Sequence, residues 1–133
     1  MKALAIWLVA FGIMFGGFWG STHLFRESHP DRVLVVVDSS YAMQGVWSKI
    51  PGVLGGLDDR QYAEFALATE KGPIHDWSAR LSLGSVVAFA PCDLGRIGSL
   101  EVLDEADEVV FVTTSGSCPT DILPGEWRVV VVD

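Results

Sequence analysis

The sequence predicts an α/β domain, a three-layer and mostly parallel sheet with an antiparallel edge, preceded by an N-terminal transmembrane helix. Three observations predict it. Residues 3–25 carry no charge, residues 33–37, 109–112 and 129–132 are unbroken apolar runs rich in valine, and apolar residues at helical spacing lie between those runs. A chain of 133 residues holds one core of ordinary size, so the runs must share a single sheet.

The first element is the apolar stretch. At about 1.5 Å per residue, a helix over residues 3–25 is roughly 35 Å long, enough to cross a hydrocarbon core of about 30 Å. Lys2 precedes it as in a secretory signal, but bulky residues sit two positions before each small one near its end: Phe15 before Gly17, Phe18 before Gly20, Trp19 before Ser21. Without a small-x-small cleavage site, residues 1–25 read as an uncleaved signal anchor. A buried helix would have to hide Trp7, Phe11, Phe15, Phe18 and Trp19 inside a very small protein. Lys2 ahead of the segment, with Arg26 and Arg32 offset by Glu27 and Asp31 behind it, favours a cytoplasmic N-terminus and a head on the extracytoplasmic side. Gly12 and Gly16 form a small-xxx-small pair that would let two anchors approach closely, a pattern often incidental in an isolated apolar helix. Residues 26–32, with His29 and Pro30, read as a short stalk.

Residues 33–133 are the head. Of the 17 acidic residues only Glu27 and Asp31 precede it, and of the 9 basic ones only Lys2, Arg26 and Arg32, so the head carries −9 in a chain of net −8. Such acidity opposes binding to nucleic acid or to an anionic membrane surface through charge. Residues 33–37 predict a strand buried on both faces. Met43, Val46, Trp47, Ile50, Val53 and Leu54 then follow at helical spacing, with Pro51 interrupting or kinking the helix. Residues 62–69 place Ala63, Phe65 and Leu67 on one face of a second strand, closed by a turn at Lys71, Gly72 and Pro73. Its return partner falls in residues 74–83 or in residues 85–90, and alternation leaves both open. Leu94, Ile97, Leu100, Leu103 and Ala106 form one stripe of a second helix capped by Asp93, with Glu101, Asp104, Glu105 and Asp107 outside the stripe. With strands at 109–112 and 129–132 the order is β-α-β-β-α-β-β. In open sheets of this kind ligands collect at the carboxyl ends of the strands, which puts Asp38, Ser40, Thr113, Thr114 and Ser115 near one edge.

Residues 33–43, reading VLVVVDSSYAM, resemble the first strand and metal-binding loop of the von Willebrand factor A domain, a hydrophobic strand followed by Asp-x-Ser-x-Ser. The hairpin, helix and strand over residues 108–114 come in that family's order. The resemblance spans residues 33–133, about half the family's usual length, and implies a shortened von Willebrand factor A-like domain. It further implies a metal-ion-dependent adhesion site in which Asp38, Ser40 and Thr114 hold Mg²⁺ or Mn²⁺, flanked by the binding residues Ser39 and Ser115. Its partner would be another protein that offers an acidic side chain to the metal. Hard cations take oxygen ligands, so the residue types are suitable. Ala42 stands where the family has its second Ser, however, and Thr114 stands where it has an acid. One carboxylate remains, and charge count governs affinity at such sites.

Other chemistry is sparse. Asp38 and Ser40 also suit an Asx turn or a helix cap. As the nucleophile of a small envelope hydrolase, Asp38 lacks the second Asp two positions on that dehalogenase-like phosphatases carry, since Ser40 stands there. No Gly-x-Ser-x-Gly occurs, and His75, the one His of the head, falls in a stretch that reads as turn and strand. Cys92 and Cys118, 26 apart and beside Pro91 and Pro119, would pair as a disulfide outside the cytoplasm and stay as thiols inside it. The expected protein is a single-pass membrane protein, anchored through residues 3–25, whose acidic head binds another protein. The alternatives are a hydrolase using Asp38 and a purely structural membrane subunit.

Overall fold

Residues 2–133 are described in a computed structural model that falls into two units, one ending at Pro30 and one over Asp31–Asp133. The first is a single helix, α1 (Lys2–Ser28), long and apolar enough to cross a membrane. Its large apolar side chains from Leu4 to Phe25 are exposed. The helix continues three residues past the apolar stretch, and the hydroxyls near its end turn back onto it. Ser21 Oγ and Thr22 Oγ1 donate to Phe18 O at 3.0 and 2.8 Å, and Ser28 Oγ donates to Phe25 O at 2.9 Å. Pro30 ends it, since the residue before a proline is pushed out of the helical region. Of the stretch read as a stalk, only His29 and Pro30 lie between α1 and the first strand.

In the second unit β1 (Asp31–Val37), β2 (Ala63–Thr69), β3 (Gly72–Ser78), β4 (Glu108–Thr113) and β5 (Arg128–Val131) form one mixed sheet in the order β3-β2-β1-β4-β5. β1 runs parallel to β2 and β4, β4 runs parallel to β5, and β2 pairs antiparallel with β3. The head is therefore α/β with an antiparallel edge, as its sequence predicts. The return strand is β3, and residues 85–90 form no strand.

The apolar run of β1 is explained by burial on both faces. Val33, Val35 and Val37 pack on one side with Met43, Ile50, Leu54, Phe65, Leu67, Val110 and Val112. Leu34 and Val36 pack on the other with Ala66, Ala68, Ile97, Phe111 and Cys118. Each fully buried Val, Leu, Ile, Met or Phe among them contributes roughly 1.5–3 kcal/mol through burial. Trp47 packs against the first core, and Trp77 and Trp127 against the second.

Two expectations are corrected. The helix read over residues 43–54 is two 3₁₀ turns, Tyr41–Gly45 and Trp47–Lys49, followed by α2 (Ile50–Leu57). Pro51 lies in the first turn of α2 and starts that helix instead of breaking it, because the amide it lacks has no partner there anyway. The stripe from Leu94 to Ala106 is not an α-helix but two 3₁₀ segments, Leu94–Ser99 and Glu101–Leu103. Its apolar residues recur every third position, the period at which 3₁₀ side chains align, and Gly95 and Gly98 lower the α-propensity. Asp93 does cap the segment, its Oδ1 accepting from Gly95 N at 3.1 Å.

Candidate functional site

The chain leaves β1 toward β2 on one side and returns to β4 on the other, so the topological switch point lies at the carboxyl end of β1. The first residues beyond β1 there are Asp38, Ser39 and Ser40, all buried. Asp38 N donates to Val112 O at 2.8 Å, which carries the β1–β4 ladder one residue further. The Asp38 carboxylate is fully buried and accepts from three groups. Ser40 N donates to Oδ1 at 2.9 Å in an Asx turn, and Thr113 Oγ1 and Ser117 Oγ donate to Oδ2 at 2.7 and 2.5 Å. Ser40 Oγ and Ser117 Oγ lie 2.7 Å apart. Ser117 is aimed inward by the turn closed by Ser117 N on Thr114 O, in which Gly116 takes a φ of +74° that suits a residue without Cβ.

A second carboxylate lies beside the first. Glu70, the residue after β2, is fully buried. Its Oε2 accepts from Ser39 N at 2.7 Å, and both its oxygens lie within 3.2 Å of Ser39 Oγ. Lys71 Nζ forms an ion pair with Glu70 and donates to Ser39 O and Oγ at 3.0 and 2.8 Å. The same ammonium sits 4.6 Å from the centre of the Phe89 ring. One carboxylate thus ties the β1 loop to the β4 loop, and the other ties it to the β2–β3 turn.

Residues 88–90 are drawn onto this frame. Phe89 N donates to Ser39 O at 2.7 Å, Tyr41 N donates to Ala90 O at 2.9 Å, and Gln44 Nε2 reaches Ala88 O at 3.3 Å. Ala90 holds a φ of +63°, a conformation unfavourable for a residue with a Cβ and maintained by its surroundings. Two residues on, Cys92 is bonded to Cys118, with Cα atoms 5.8 Å apart. An oxygen of Asp38 and the two sulfurs lie within 4.8 Å of one another. Joined as a disulfide, the sulfurs are not thiolate ligands. Ser39, Thr69, Lys71, Pro73, Val87 and Phe89 are among the residues lining an open depression of about 350 Å³ along this edge. Tyr41, Val87 and Phe89 are exposed.

Asp38, Ser39 and Ser40 thus come together at the switch point. Thr114 takes part through its backbone, its carbonyl accepting from Ser117 N at 3.2 Å, and the hydroxyl that reaches Asp38 from β4 is that of its neighbour Thr113. Ser115 points elsewhere, donating to Asp133 Oδ1 at 2.8 Å. Sequence reasoning missed Glu70, Lys71 and Ser117. A signal existed for Glu70, which follows a buried parallel strand just as Asp38 does; it was obscured because Lys71 and the residues after it read as a turn. Nothing in the sequence singles out Ser117.

The oxygens of Asp38, Ser40 and Ser117 are of the hard type that Mg²⁺ or Mn²⁺ takes, but they carry one charge among them. Among the described residues no buried side-chain nitrogen or oxygen lacks a hydrogen-bond partner. No protein-family model, curated protein or solved structure matches this chain.

Proposed function

We propose that this protein is a single-pass membrane protein whose head, a shortened von Willebrand factor A-like domain on the extracytoplasmic side, binds another protein through the carboxyl edge of its sheet. The observation that carries this reading is the exposure of Tyr41, Val87 and Phe89 on loops held by two buried carboxylates and a disulfide. Rigid loops that present aromatic and aliphatic side chains lose little entropy on docking and supply the anchors on which interfaces depend. The Cys92–Cys118 bond supports the extracytoplasmic side, because disulfides persist in oxidising compartments. Asp38 serves the site as a clamp. A hydrolase reading is disfavoured because a nucleophile must meet its substrate, and this carboxylate is fully buried under three donors.

A photo-crosslinking residue in place of Phe89, in the anchored chain in its native membrane, tests the reading. A discrete protein adduct at position 89 and none at the remote, exposed Asp59 is expected; no adduct at 41, 87 or 89 would sink it. Cation binding at Asp38 is the second reading, favoured by the compact oxygen set of Asp38, Ser40 and Ser117. Thermal unfolding with excess Mg²⁺ or Mn²⁺ against EDTA separates the two. A cation at 100 times its dissociation constant adds about 2.7 kcal/mol to stability. Under the clamp reading the midpoint stays where it is, and under the cation reading it rises in the parent and not in Asp38→Asn.

A further inference from the structure

A different part of the sheet, its β5 edge, bears on self-association, which rests on the reading above only for the membrane anchor. Val132 N donates to Thr113 O at 2.8 Å, so by strand alternation the backbone groups of Val130 and Val132 face β4. Those of Val129 and Val131 face outward, and β5 is the last strand of the sheet on that side. The side chains of Val129 and Val131 are 38% and 52% exposed. Natural edge strands are commonly protected by short length, charged side chains, a proline, a bulge or an inward charge. β5 is short and begins with Arg128, but Val129, Val130 and Val131 carry no charge or proline, and β5 pairs with β4 without a register shift.

We propose that two copies of this chain pair antiparallel through β5, with Val130 opposite Val130 of the second copy. That register is the consequence of three constraints. Directly opposed residues must lie on the same face, so the two residue numbers of every pair must have the same parity. Residues whose amides and carbonyls face outward must oppose one another, which makes Val129 and Val131 of the two copies hydrogen-bonded pairs with four main-chain bonds across the seam. The exposed side chains of Val129 and Val131 from both copies then gather on one face and cover each other.

A second copy is also the occupant that charge favours. The head is acidic, but β5 opens on Arg128, and Asp133 follows two residues past its end. Antiparallel pairing sets the basic end of each strand beside the acidic end of the other, whereas a parallel neighbour of the same sequence would set like against like. A four-residue seam buries far less than the roughly 1,000 Å² typical of a stable interface, so the edge does not hold two free heads together. The anchor supplies what is missing. Two chains confined to one bilayer meet at a high effective concentration, and Gly12 and Gly16 of α1 form a small-xxx-small pair that lets a second helix approach closely.

The test uses the full chain in phosphatidylcholine vesicles at low protein density. In this register Val130 and its mate form a non-hydrogen-bonded pair with Cα atoms about 4.5 Å apart, inside the range of about 4.4–6.8 Å that a disulfide spans. Val130→Cys should therefore give a covalent dimer under mild oxidation at least tenfold faster than Ser85→Cys on an exposed loop. Adding Val131→Lys, which leaves the backbone and the β4 pairing alone but puts like charges into the seam, should abolish that dimer. Energy transfer between chains labelled near the N-terminus should fall with it. The proposal is overturned if Val130→Cys cross-links no faster than Ser85→Cys, or if energy transfer is undiminished in Val131→Lys, which would place any association in the anchors alone. Should Val131→Lys alter the melting of the head, Val131→Pro, whose missing N–H is one that faces outward and which edge strands tolerate, takes its place.

Discussion

The two ends of the same sheet use carboxylates in opposite ways. At the amino end Glu108 pairs with Arg60, with N–O distances of 2.5 and 3.2 Å, and lies 3.9 Å from Arg128. Arg32 reaches Glu105 at 3.1 Å and lies over the ring of Trp77 at 5.2 Å. All these charged groups are about a third exposed or more, so water screens them and each pair is worth little. At the carboxyl end Asp38 and Glu70 are fully buried, and their bonds go to hydroxyls, backbone amides and one ammonium. A buried carboxylate is tolerated only when its donors are all in place, and then it fixes the position of every donor. The amino end can therefore lose a charge cheaply, whereas the carboxyl end should lose its loop structure with one.

That contrast is open to direct attack. The largest effect is expected from Glu70→Ala, which strands Ser39 N, Ser39 Oγ and Lys71 beside a new cavity. Removing one member of a buried ion pair typically costs about 3–5 kcal/mol, read as a lower midpoint in thermal unfolding of the detergent-solubilised chain. A loss under 1 kcal/mol would mean that the carboxyl end is as loosely held as the amino end. Next comes Cys92→Ser with Cys118→Ser. A loop of 26 residues gives a loss of roughly 3 kcal/mol in the chain-entropy estimate, and denaturant unfolding of the double variant should show it.

The smallest effect is expected from Arg60→Ala, at about 0–1 kcal/mol, and it carries a pH signature. The hydrogen bond from Arg60, opposed by partial burial and reinforced by the charges of Arg60 and Arg128, holds the Glu108 carboxyl below its ordinary value. The same pairing raises the guanidinium of Arg60. Because the pKa of Glu108 is depressed on folding, the unfolded chain takes up its proton first. The stability from this pair is present above the ordinary carboxyl range and is lost as pH falls through the folded value. Unfolding measured from pH 7 down to pH 3 should show the parent and Arg60→Ala converging at the acid end. Equal differences at all pH values would remove Glu108 as the cause.

Much of the fold is legible in the sequence because burial writes it there. The unbroken apolar runs of β1 and β4 mark strands covered on both faces, whereas the same kind of run in β5 belongs to an edge strand that leaves Val129 and Val131 exposed, and the uncharged stretch of α1 marks a helix long and apolar enough to cross a membrane. Asp38, Ser39 and Ser40 are legible as site residues because they follow such a strand. The two helices were misjudged for a local reason: a spacing of three and a spacing of three to four differ little over a dozen residues, and glycines at 95 and 98 tipped the second segment to 3₁₀. Glu70 and Ser117 were illegible as partners because their roles depend on which strands are neighbours. Glu70 meets Ser39 only because β2 lies beside β1, and Ser117 meets Asp38 only because β4 lies on the other side.

What the sequence determined by itself, then, is the pattern of burial: a membrane-length helix, buried strands in a given order, and an acidic surface. Periodicity and charge are local properties, readable one segment at a time. Only the tertiary structure decided that two buried carboxylates and a disulfide share one edge and that the outward-facing backbone of β5 lies open at another. Both follow from strand order and register, which depend on pairings between residues up to 75 positions apart, as in Val33 with Glu108, and are set by packing the whole chain at once.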